Sequence, residues 1–103
     1  MDLPASMYVN YLARRKADHA RLSTALNSPQ GIEDFKTVGH QIKGNAISFG
    51  FNDLVTIGEQ MEKLSPPQLA SDGHKVLQEF WAWIVSTEKR LESELANAPP
   101  EDS

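Results

Sequence analysis

Four stretches of this chain repeat large apolar side chains at three- and four-residue intervals, the spacing of one face of an α-helix. From about residue 5 to 26 the stripe runs Tyr8, Leu12, Arg15, His19, Leu22 and Leu26. Arg15 and His19 are expected to cover its edge with their apolar parts. Alanines 13, 17, 20 and 25 add helix propensity. A second stripe, over about 31–50, is Phe35, Val38, Ile42, Ala46 and Phe49. A third, over about 53–64, is Leu54, Ile57, Met61 and Leu64, and a fourth runs from about 67, or from 72, to 96. Leu69, Val76, Phe80, Ile84, Leu91 and Leu95 mark the buried side of that last helix, with Trp81 and Trp83 beside it. Two tryptophans at this spacing cannot both face inward, so one belongs to the core and the other to an edge.

The residues between the stripes are helix punctuation. Asn27 is expected as a left-handed C-cap, and Ser28-Pro29 as the N-cap and first position of the second helix. Glu33 and Asp34 then place negative charge near that helix's positive end. Gly50-Phe51-Asn52-Asp53 ends the second helix and caps the third, through Asn52 or Asp53. Ser65-Pro66-Pro67-Gln68 has the form of a capping box. Ser71 or Asp72 is the alternative cap for a later start, which Gly73 favours. Residues 97–103 are expected as a frayed tail. Lys43-Gly44-Asn45 has the composition of a hairpin turn, but the helical spacing runs straight through it. The pattern thus predicts an all-α protein, an antiparallel up-down-up-down four-helix bundle, with 1–103 as a single domain.

Composition narrows what such a bundle does. A length of 103 residues suits one modest core. A net charge of −4 without a basic run argues against a nucleic-acid partner. Cysteine is absent, so neither a disulfide nor thiolate chemistry is available. No apolar run is long enough for a membrane span or has the form of a secretory signal, so a cytoplasmic location without membrane attachment is expected, with a monomer as the simplest state.

One feature stands out within the second helix. At about 100° per residue, Lys36, Thr37, Lys43, Gly44, Ile47 and Phe51 all lie within roughly 60° of His40, opposite the apolar stripe. If the stripe faces the core, His40 faces water. A neutral imidazole has a free lone pair and acts as a nucleophile without a dedicated base. Lys36 and Lys43 favour that neutral form by like-charge repulsion, and would offset the charge of a phosphoryl group once it is attached. Gly44 clears space for another protein's active site, whereas Gly39 serves close helix packing. Lys36, Thr37, Ile47 and Phe51 make up an expected docking surface, apolar at Ile47 and Phe51. The other candidates have plainer readings. His19 is a packed histidine and His74 a solvated one. Glu59 and Glu62 lack the Glu-x-x-His pattern of a bundle metal site and read as solvated carboxylates, so no metal is expected. Arg14, Arg15, Asp18 and Arg21 form a charged face with turn-to-turn pairs.

His40-Gln41-Ile42-Lys43-Gly44, followed by Ala46, Phe49 and Gly50, resembles the His-x-x-Lys-Gly signature of histidine-containing phosphotransfer (HPt) domains. Met61-Glu62 looks like the counterpart of that family's leucine-glutamate pair in the following helix. The resemblance spans about Tyr11 to Glu62; the last helix matches only as an amphipathic helix of suitable length. Gly39 departs from the alanine common before the histidine. The resemblance implies a four-helix bundle that accepts a phosphoryl group on His40 from a receiver-domain aspartyl phosphate and passes it to another receiver. Lys43 would be the charge partner and Gly44 the access residue. Response-regulator receiver domains, and a hybrid histidine kinase, would be the partners. The receiver would supply magnesium, and this chain, with no cofactor and no ATP-binding motif, would be a carrier and not a kinase. The alternative is an interaction module that docks on a receiver or kinase and inhibits it without chemistry.

Overall fold

The computed structural model describes residues 2–97. Four helices follow one another: α1 Ala5–Ala25, α2 Gly31–Ser48, α3 Asn52–Lys63 and α4 Leu69–Ala96, the last preceded by a 3₁₀ turn at Pro66–Gln68. There is no strand among the described residues, and α2 runs unbroken through Lys43-Gly44-Asn45. Short loops make neighbours antiparallel. α2 packs most closely on α3 and α1 on α4, closing an up-down-up-down bundle. At 28 residues α4 is more than twice as long as α3, and it accounts for much of the 56 Å long axis of the molecule. Of the expected frayed tail only Asn97 is described, as the C-cap of α4; the rest lies outside the described residues.

The stripes meet in one core. Leu22, Phe35, Val38, Ile42, Leu54, Met61, Phe80 and Ile84 are fully buried. Trp83 joins them and Trp81 stays 43% exposed, which is the split their spacing requires. α1 departs from its expected stripe. Tyr8, Tyr11, Leu12, Arg15, Leu22 and Ala25 are buried, whereas His19 and Leu26 are only half-buried. Leu95 is exposed, because the last turns of α4 extend past the body of the bundle.

Several caps differ from expectation. Asn27 is not left-handed: no non-glycine residue among the described residues has positive φ, and Leu26 closes α1 in helical conformation. Ser28 does not cap α2. Its hydroxyl accepts the Gln30 amide within the connecting turn (3.2 Å), and α2 begins two residues later than Pro29 would have it. Neither Asn52 nor Asp53 is the N-cap of α3; that position is Phe51. The capping box at Ser65 and Gln68 does form, so the fourth helical segment starts early. Gly73 does not oppose that start. It is buried inside α4, where a Cβ would stand 2.8 Å from Leu26, so it is a packing residue.

Gly50 decides the C-terminus of α2. With φ +76° it reverses the chain, its amide donates to Ile47 O (3.0 Å), and the Phe51 amide donates to Ala46 O (3.0 Å). This is a Schellman motif, and it carries Phe51 back under the helix. α2 therefore stops at Ser48, short of the expected 50.

One packed residue has a testable consequence. The His19 ring lies 4.9 Å from Trp81 and 6.0 Å from Phe80. Burial lowers its pKa from 6.5, partly opposed by a hydrogen bond to the Leu77 backbone. The unfolded chain therefore binds a proton at this site more readily than the bundle does, and stability falls as pH drops below 6.5. Between about pH 7.5 and about pH 5.5 urea denaturation should show a small loss of stability from this group. His19→Gln should flatten that part of the profile; an unchanged slope would assign it elsewhere.

Candidate functional site

The apolar face of α2 fixes where its polar face points. Phe35, Val38, Ile42 and Ala46 are fully buried, so the opposite stripe is turned to solvent. The His40 side chain is 76% exposed. Lys36, Thr37, Gly44 and Ile47 are exposed around it, Ile47 to 62%. Nothing lies within 4 Å of where a Cβ on Gly44 would sit, so the space above it is open.

Phe51 does not belong to this surface. It is 4% exposed, with its ring 5.0 Å from Trp83, 5.7 Å from Tyr11 and 5.9 Å from Tyr8. The helical projection that put it beside His40 fails because α2 ends before it and Gly50 turns the chain inward. The apolar part of the expected docking face reduces to Ile47.

Glu62, at the C-terminal end of α3, is the residue that local pattern placed wrongly. It is not simply solvated. Its Oε1 lies 2.9 Å from Lys43 Nζ, and its Oε2 lies 3.7 Å from His40 Nδ1, beyond hydrogen-bond length. The Glu62 backbone carbonyl accepts from Lys36 Nζ at 3.4 Å. Lys43 holds the Glu62 carboxyl below the usual carboxylate range, and Glu62 in turn raises the lysine. Both lysines are thus drawn toward α3, and the field at His40 includes a carboxylate as well as two cations. Glu59 adds a smaller effect of the same sign on Lys43. Among the described residues no group of three or more His, Asp or Glu side chains is placed to hold a metal ion, and no helix is long and apolar enough to cross a membrane.

A glycine pair brings Glu62 there. On α2, a Cβ at Gly39 would fall 2.6 Å from Gly58 O, 2.7 Å from Met61 Cβ and 3.0 Å from Glu62 N. On α3, a Cβ at Gly58 would fall 2.8 Å from Gly39 O and 3.0 Å from Lys43 N. The two backbones touch where any side chain would separate them. Gly39 is therefore the close-packing residue expected of it, and Gly58 is its unforeseen partner.

On its other side α2 is pinned to α1. Asn45 Oδ1 accepts from Tyr11 Oη (2.6 Å) and from Arg15 Nη1 (3.2 Å). Arg15 also pairs with Asp18 at 2.8 Å and stacks 4.5 Å over the Tyr11 ring. At 7% exposure Arg15 does not cover the edge of α1; it is enclosed in this cluster. Burial raises the Tyr11 and Asp18 pKa values, with Arg15 opposing both. The helix bearing His40 is held by polar contacts on both flanks, one turn from the imidazole on either side.

Chemically, the site offers an exposed imidazole, an ammonium group one turn away, a bare backbone at Gly44 and an acidic neighbour. The fold is an all-α four-helix bundle, an architecture consistent with a signalling or docking module. No family model, curated protein or solved structure matches the chain, so its assignment rests on its own geometry.

Proposed function

We propose that this chain is a histidine phosphotransfer protein, in which His40 accepts a phosphoryl group from a receiver-domain aspartyl phosphate and passes it to another receiver. The observation that carries this reading is the conjunction on one solvent-facing stripe of α2: His40 76% exposed, Lys43 one turn on, and open space at Gly44. The His-x-x-Lys-Gly pattern and the bundle fold are what an HPt-like module requires, and both support it. In the transfer step, imidazole nitrogen attacks phosphorus, the P–O bond to the aspartate breaks, and the carboxylate leaves. The receiver provides magnesium and the acidic pocket; this chain provides the nucleophile and positions it. Ile47, Thr37 and Lys36 form the rim on which the receiver would sit. The chain acts as a carrier with no kinase activity of its own, working in the cytoplasm as a monomer.

Incubation with a panel of phosphorylated receivers tests the reading. The expected result is an acid-labile, base-stable label that mass mapping places on His40. A panel covering every receiver of the source genome, with none donating, would overturn it.

A further inference from the structure

One residue of α3 occupies both cations that flank His40. The Glu62 carboxylate is the resting counter-ion of Lys43, and the Glu62 carbonyl accepts from Lys36. The carboxylate also stands 3.7 Å from His40 Nδ1, so Nε2, on the opposite edge of the ring, is the nitrogen turned away from it. We propose that Glu62 is a positioning residue that keeps the phosphorylated form of His40 high in free energy, so that the phosphoryl group is readily given up. This rests on the reading of His40 as the phosphoacceptor.

The physical argument is one of competition. A phosphoryl group on Nε2 adds negative charge to a ring whose other nitrogen stands 3.7 Å from a carboxylate, and the repulsion between the two charges is unfavourable. The nearest ammonium group is already paired: Lys43 must be shared with Glu62 or withdrawn from it to neutralise the newcomer. Both effects lower the stability of phosphohistidine. They raise its power as a donor to a receiver aspartate, whose oxygen takes the phosphorus while the imidazole keeps the bonding electron pair. The arrangement is anchored in the fold, because the helix crossing holds the Glu62 backbone at the site. Its backbone amide lies where Gly39 packs against α3, 3.0 Å from the position of a Cβ on that glycine.

The test separates this inference from the relay itself by loading His40 chemically. Phosphoramidate transfers its phosphoryl group to imidazole with loss of ammonia and needs no receiver. The lifetime of phospho-His40 is then followed by ³¹P NMR and mass mapping in the wild type, Glu62→Gln, Lys43→Ala and the double variant. Glu62→Gln should lengthen the lifetime roughly three- to tenfold in low salt. With a phosphorylated receiver, it should shift the partition toward this chain by a similar factor. In the Lys43→Ala background the gain from Glu62→Gln should shrink, because no ammonium group is then released. Matched thermal unfolding of the variants checks that any longer lifetime is not the result of a damaged fold. An equal or shorter lifetime in Glu62→Gln overturns the inference, even if receivers label His40 normally. A longer lifetime with no receiver able to donate would uphold the role of Glu62 and sink the relay instead.

Discussion

Replacing His40 by glutamine should abolish phosphoryl acceptance outright while leaving the bundle as stable as before. Loss of label follows because the other two histidines are poor substitutes. His19 packs against Trp81 on the α1–α4 side, and His74, near the start of α4, has Gly73 and Lys75 as its direct chain neighbours but no lysine and glycine one turn on along its own face. Retention of stability follows from exposure. With its side chain 76% exposed and Glu62, at 3.7 Å, as its only ion-pair partner among the described residues, His40 contributes little packing, and a surface change of this kind stays within about 0.5 kcal/mol. Urea denaturation and receiver labelling of the same preparation check both halves. Label persisting on the glutamine variant would show that His40 is not the acceptor. A variant that lost label yet kept full biological output would favour docking without chemistry.

The second large effect contrasts two glycines of one helix. Alanine at Gly44 should stabilise the protein by about 1 kcal/mol, the helix-propensity gain at an interior position, since its Cβ would meet nothing within 4 Å. Alanine at Gly39 should instead destabilise it. There the Cβ would press on Gly58 O at 2.6 Å and Met61 Cβ at 2.7 Å, and a backbone carbonyl cannot rotate aside as a flexible side chain does. Overpacking of this kind costs about 1–3 kcal/mol, which offsets and exceeds the same propensity gain. Opposite signs in urea denaturation are the expected outcome. A shared sign would mean that α3 yields easily, and that the glycine crossing does not hold the helices together. Because the crossing also places Glu62, the Gly39 variant should loosen the Lys43–Glu62 pair, visible as a return of the Glu62 carboxyl toward its ordinary range.

Pattern reading succeeded where structure is local. The four stripes, the capping box at Ser65, the split between Trp81 and Trp83, and the outward face of His40 all follow from helical periodicity, which one segment determines alone. It failed at the ends of elements and wherever a partner comes from another helix. Asn27 and Ser28 have the right chemistry for caps, but the chain between α1 and α2 turns without using them so. Phe51 looked exposed because a helical wheel assumes that the helix continues. Tyr11 stands at helical spacing from Tyr8 and Arg15, but Asn45, half-buried, gave no periodic signal, since its partners lie on another helix. Glu62 had one hint, the Met61-Glu62 pair, but nothing in the local pattern said which cations it would meet.

From its sequence alone, then, this protein's all-α character is determined, along with most of the core-facing residues of α2, α3 and α4 and the placing of His40, Lys43 and Gly44 on one face. These are consequences of a 3.6-residue repeat acting within single helices. The tertiary structure alone decided that Glu62 takes Lys43, that Gly39 meets Gly58, that Asn45 joins Arg15 and Tyr11, and that Phe51 turns inward. Each depends on how closely two helices approach, which is set by packing between segments far apart in the chain.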